Sequence, residues 1–171
     1  MMAIRRKPGF TLIELVITVA ILVMMLAVAV PLFFQIIAQR RLTAAVERVA
    51  GDLRYVQSQA VTQGGLFRLH EGGDAGEAGK YRLEQSTNGG ATWTQATGWY
   101  HLSTDYQGSS VQGLKDNAGA GATRYWVGFD SQGVTVGPVG VVFPIHLTVV
   151  TPTGATKTIR VLRTGTIRIL P

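Results

Sequence analysis

Residues 15–34 (LVITVAILVMMLAVAVPLFF) contain no charged side chain and are almost wholly apolar. A run of about 20 such residues is the length a helix needs to cross the hydrocarbon core of a bilayer. A membrane helix is therefore the first constraint on this chain. Arg5, Arg6 and Lys7 stand just before the run, and the positive-inside bias places them in the cytoplasm and sends the rest of the chain across. These three residues supply half of the formal net charge of +6, so the basic balance is first a topology signal and only then a hint of an anionic partner. A cleaved secretory signal is the competing reading, because Ala27-Val28-Ala29 imitates a signal-peptidase site. Two features oppose it: Glu14 falls inside the apolar region, and Leu32, Phe33, Ile36 and Ile37 continue that region past the supposed cut.

A carboxylate near membrane depth costs on the order of 2.5–3.5 kcal/mol, so Glu14 needs a partner or an interfacial place in the first helical turn. Its context is Lys7-Pro8-Gly9-Phe10-Thr11-Leu12-Ile13-Glu14-Leu15. This string resembles the prepilin signature of type IV pilins and of the pseudopilins of type II secretion. The resemblance implies cleavage after Gly9 by a prepilin peptidase, methylation of the new amino group on Phe10, and retention of the membrane helix. It also implies that Glu14 meets the Phe10 amine of a neighbouring subunit during assembly. A paired cation and anion each lower the other's desolvation cost. Pro31 fits the same family, whose helices commonly carry a proline there, and proline loosens a helix by removing one hydrogen bond.

Beyond Pro31, Leu42, Val46, Val49, Leu53, Val56 and Ala60 recur at spacings of three and four, one stripe down a helix. Gly64-Gly65 ends the pattern. A helix from Phe10 to about Gln63 would be on the order of 80 Å long, which an anchor or an assembly would justify. After Gly64 the chain turns glycine-rich, with short β-prone runs at residues 66–70, 80–85, 99–102, 125–129, 141–151, 156–162 and 166–170. The last three read as a meander, because Ile145, Leu147 and Val149 alternate with His146, Thr148 and Val150, and Ile159 and Val161 with Thr158 and Arg160. Residues 106–123 are Gly-, Ser- and Asn-rich and are expected to form a long, poorly ordered loop. The expected fold is α+β and pilin-like, a long helix packed on a mostly antiparallel β head. Its expected parts are a leader at 1–9, a transmembrane helix at 10–34, its amphipathic continuation at 35–63 and a periplasmic head at 64–171.

Residues 52–69 (DLRYVQSQAVTQGGLFRL), 128–133 (GFDSQG) and 159–169 (IRVLRTGTIRI) resemble the GspH/FimT branch of minor pseudopilins and minor pilins. Signs of catalysis are scarce. There is no cysteine for a thiolate site, and His70, His101 and His146 lack metal-ligand spacing. Around Gly79-Lys80 the phosphate-binding pattern fails at Asp74 and Tyr81. Glu71, Asp74 and Glu77 sit among glycines in a loop that could offer oxygens to calcium but has no EF-hand spacing, so a solvated hairpin loop is the simpler reading. Trp93, Trp99, Tyr100, Tyr106, Tyr125 and Trp126 suit core packing better than a base-stacking surface.

No cofactor and no enzymatic activity are expected. The leading expectation is a structural subunit of a type II secretion pseudopilus or a type IV pilus, lodged in the inner membrane and partnered by other pilin or pseudopilin subunits through its N-terminal helix. Secreted cargo is a further expected partner. The alternative is a FimT-like minor pilin that binds DNA at a pilus tip through Lys157, Arg160, Arg163 and Arg168. Some members of that branch bind DNA through a Gly-Arg-x-Arg pattern, and Gly165-Thr166-Ile167-Arg168 lacks its first arginine.

Overall fold

The computed structural model describes residues 9–73, 77–106, 108–117 and 123–170. The chain divides into two compact units, Met1–Gln39 and Arg40–Pro171. Helix α1 (Leu12–Gln63) is continuous, Pro31 included. It stops where the sequence places a glycine. Gly64 has φ +68° and donates its N–H to the Ala60 carbonyl, 3.0 Å, the left-handed cap that satisfies one of the last free carbonyls of a helix.

In the first unit the apolar side chains are uncovered, from Leu12 at 80% exposed to Val30 at 46%. Within the described residues α1 is the one helix long and apolar enough to cross a membrane.

In the second unit the expected stripe is buried in full, and Ala45 and Ala50 join it. The head supplies β1 (Leu66–Glu71), β2 (Tyr81–Ser86), β3 (Thr94–Gln95), a one-turn helix α2 (Leu102–Asp105), β4 (Ser110–Lys115) and β5 (Thr123–Arg124). It continues with β6 (Trp126–Phe129), β7 (Thr135–Val136), β8 (Ile145–Val150), β9 (Thr156–Val161) and β10 (Ile167–Ile169). One antiparallel sheet has the order β3-β2-β1-β6-β7 and the other β10-β9-β8-β4-β5. Strand β1 buries every second residue, as does β8, and the inward sets Phe67, Leu69, Ile145, Leu147, Val149, Ile159 and Val161 share one core with the helix stripe. The meander of β8, β9 and β10 forms as its alternation requires.

Two expectations fail here. Residues 99–102 are not a strand: Tyr100 exchanges both backbone hydrogen bonds with Tyr81, and the chain then turns into α2 so that Leu102 enters the core. Residues 106–123 are not wholly a loop, because β4 lies inside them. Val111 and Leu114 are its core contacts, and a bulge between them, with Gly113 at φ +79°, breaks the two-residue period that would have betrayed the strand.

Glu71 holds that bulge. Its buried carboxylate accepts the N–H groups of Gly113 (2.7 Å) and Leu114 (3.0 Å), which joins the end of β1 to β4 across the two sheets. Burial pushes the Glu71 carboxyl above its ordinary 4.5, and the two backbone donors oppose that shift. The folded state then holds a proton that the unfolded chain has released, so this residue makes stability fall as pH rises from 4.5 through the higher folded value. In Glu71→Gln that component of the pH profile should vanish. Glu71→Leu should cost about 2–4 kcal/mol, because two buried N–H groups lose their acceptor. Urea unfolding of the two variants followed by tryptophan fluorescence is the check, and an unchanged midpoint in Glu71→Leu would remove the residue from this role.

Candidate functional site

The N-terminal segment is organised by its own side chains. Gly9 and Phe10 precede the helix and are exposed. The Glu14 Oε2 atom accepts the backbone N–H of Thr11 (3.1 Å) and the Thr11 hydroxyl (2.9 Å), while the Glu14 N–H donates to Thr11 Oγ1 (3.3 Å). This is a capping box, in which a Thr and a Glu three residues apart satisfy free donors at a helix start. Its signal, Thr-x-x-Glu, stands in the sequence, but reading Glu14 only as a first-turn charge and an assembly partner passes over it. The box fixes where the carboxylate sits. The leader cations Arg5, Arg6 and Lys7 lie outside the described residues.

The three head segments that carry the branch resemblance meet at one side chain. Gln57, on the flank of the buried stripe, donates both N–H groups of its amide, one to the Gly133 carbonyl (2.8 Å) and one to the Gly165 carbonyl (3.1 Å). Each glycine closes a hairpin of the same design. In the first, the Asp130 carbonyl accepts the Gly133 N–H and the Asp130 N–H donates to Val134, while its carboxylate takes the N–H groups of Gln132 and Val134. In the second, the Leu162 carbonyl accepts the Gly165 N–H, and the Leu162 N–H donates to Thr166. Both glycines have φ near +80°, the left-handed residue of a three-residue hairpin loop. Thr135 adds a further tie, donating its N–H to the Arg163 carbonyl (3.0 Å) and its hydroxyl to the Leu162 carbonyl (2.7 Å). The helix, the β6–β7 turn and the β9–β10 turn are thus locked together.

Two more polar contacts fix the helix register. The buried Tyr81 hydroxyl donates to Asp52 at 2.5 Å, and Arg48 pairs with the same carboxylate at 3.2 Å. Burial above all, then the Asp52 bond, drives the Tyr81 phenol far above its usual range. On the other sheet, the Lys157 ammonium donates to the Thr43 hydroxyl at 3.1 Å.

The outer face of the β1–β2–β6 sheet carries the three tryptophans. Arg68 lies 3.8 Å from the Trp93 ring centre and 5.1 Å from that of Trp126, and Arg82 lies 4.5 Å from that of Trp99. Buried Glu84 takes both guanidinium groups, Arg68 at 2.5 Å and Arg82 at 2.6 Å. The indoles therefore cover cations of their own chain, in keeping with packing rather than with a free stacking surface. In the acidic glycine loop, Glu71 is held by β4 and Glu77 pairs with Lys80 at 3.0 Å, while Asp74 lies outside the described residues.

Of the four basic residues singled out near the C-terminus, the structure brings two together. Arg160 on β9 is directly opposite Arg168 on β10. Lys157 shares the parity of Ile159 and Val161, reaches the helix through Thr43 and does not belong with them. Arg163 is exposed in the β9–β10 turn. Opposite Arg160 on its other side is His146, whose pKa is held below its ordinary value by burial and then by the Arg160 charge.

The profile of the prokaryotic N-terminal methylation motif matches residues 4–30, and that of the type II transport protein GspH matches residues 45–165. The chain belongs to the GspH family. That family match spans the Gln57 lock from the helix to the second turn glycine. Among solved structures, this GspH-family chain is similar to the type IV minor pilin FimU of Pseudomonas aeruginosa, with 15% identity, a TM-score of 0.54, and coverage of 78% of this chain and 90% of that one. It is also similar to the minor pseudopilin EpsH from the type 2 secretion system of Vibrio cholerae, with 14% identity, a TM-score of 0.54, and coverage of 76% and 96%. Those likenesses establish the pilin-like fold. A comparison with curated protein sequences found no match. The methylation motif and the apolar helix together fit an inner-membrane anchor of the pilin type.

Proposed function

We propose that this GspH-family chain is a non-catalytic minor subunit of a type II secretion pseudopilus or type IV pilus, anchored in the inner membrane until it is assembled. One observation carries the reading: the methylation motif lies on a helix whose apolar side chains are bare through Ile36, whereas from Leu42 onward the apolar stripe is buried in the head. A surface of that kind is stable in lipid or against identical helices. In this reading residues 1–9 are the cytoplasmic leader removed by prepilin peptidase, 10–34 the transmembrane helix, 35–63 its amphipathic continuation and 64–171 the periplasmic head. Other pilin or pseudopilin subunits pack along residues 10–34 within the filament, with Glu14 facing the Phe10 amine of a neighbour and Pro31 loosening the helix. The head is left to meet neighbours or secreted cargo.

Mass spectrometry of the membrane-extracted protein should find a chain that begins at N-methylated Phe10. A mature chain that begins at Val30, after Ala29, would establish an ordinary secretory signal and end this reading. DNA capture at a pilus tip has less support, since Lys157 is engaged with Thr43 and Thr166 stands where the binding pattern has its first arginine.

A further inference from the structure

The register of the second sheet sets Lys115, His146, Arg160 and Arg168 directly opposite one another on β4, β8, β9 and β10. They form one row across four strands on the face away from the core, with Lys115 and Arg168 exposed and the two between them half-buried. At about 4.8 Å per strand the row is about 14 Å long. Among the described residues none of the three fixed cations has a carboxylate partner. Like charges directly opposite in a sheet repel, so the row stores an unfavourable interaction that an anionic partner would relieve. On one side of it Thr148 stands opposite Thr158 and Val150 opposite Thr156.

We propose that this row is a docking strip for the acidic face of a helix in a partner protein, laid across the strands. A helix with carboxylates at positions i, i+4, i+7 and i+11 presents them about 4.5–6 Å apart along its axis, close to the spacing of about 4.8 Å in the row. On that side three threonines offer it hydroxyl groups, with Thr148 and Thr158 sharing one hydrogen bond at 3.4 Å. None of the residues paired between β8 and β9 is a Phe, Tyr or Trp on which the bases of a single strand could stack, and duplex DNA is the competing ligand that the test decides. The strip uses residues that the assembly reading leaves idle, so it stands or falls separately from it.

The test uses the full chain in detergent and fluorescence anisotropy with three labelled probes. One is a stapled peptide of about 15 residues with four glutamates on one face, one is its isomer with the same glutamates spread round the helix, and one is a duplex DNA of similar charge. The aligned peptide should bind about tenfold tighter than its isomer and tighter than the duplex, and Arg160→Ala/Arg168→Ala should remove that advantage. Lys115→Ala, at the exposed end of the row, should weaken binding about threefold without disturbing the fold, which circular dichroism checks. Equal binding of the two peptides, indifference to both variants, or tighter binding of the duplex would each overturn the proposal.

Discussion

Gly165→Ala is expected to lower the stability of the head by about 3 kcal/mol or more, a shift in melting temperature on the order of 10 °C. A Cβ at this position would collide with the Gly133 carbonyl oxygen and the Gln57 amide nitrogen, so the lock between helix and turns could not close. The backbone there, at φ +83°, adds about 1 kcal/mol of strain for any L side chain. Gly154 provides the control. It has the same φ of +83° in the β8–β9 turn, but open space around the added carbon, so Gly154→Ala should show the strain alone. Thermal unfolding of both variants, monitored by near-ultraviolet circular dichroism, separates the two costs. Equal losses would mean that the Gln57 lock contributes nothing beyond glycine's backbone freedom.

Removing the charge of Glu14 should abolish assembly while leaving membrane insertion intact. The capping box makes this test sharper than an alanine substitution alone. Glu14→Gln can still accept the Thr11 N–H, since a Gln serves in that position, whereas Glu14→Ala cannot. Breaking a buried ion pair costs about 3–5 kcal/mol, equivalent to a hundredfold or greater loss in association. Both variants should therefore insert and both should fail to restore filament assembly or secretion in a complementation assay. Normal assembly by Glu14→Gln would assign to this residue the helix cap and nothing more.

The sequence displays those parts of the fold that repeat with a period. The uncharged run at 15–34, the stripe from Leu42 to Ala60 and the alternation of β8 and β9 are each set by one kind of burial repeated over several turns or residues. The two-residue strands β3, β5 and β7 are too short to have a period, and the bulge at Gly113 erases that of β4. The parity of β9 is legible by counting alone: position 157 falls with Ile159 and Val161, which separates Lys157 from Arg160. Gln57 could not be found in this way. A polar side chain beside an apolar stripe looks like any solvated flank until its two carbonyl partners, 76 and 108 residues further on, are brought to it. Glu71 is the same case, since the N–H groups it receives come from a strand hidden by its own glycine.

That separation has a kinetic consequence. A contact between Gln57 and Gly165 closes a loop of most of the head, and long-range contacts of this sort form slowly because the chain must first give up the entropy of the intervening segment. The helix that lies at the centre of the core is made first, yet one of its anchoring points lies 108 residues further along the chain. A head delivered from its N-terminus therefore completes its core only after Gly165 has emerged. Pulse-labelled hydrogen exchange during refolding should show protection of the Thr135 N–H, which is donated to the Arg163 carbonyl, arriving last. The exposed strip of helix waiting for its turns would be the form of this protein most open to chaperones and proteases, and the closing of one glutamine amide on two glycines would be the event that ends that vulnerability.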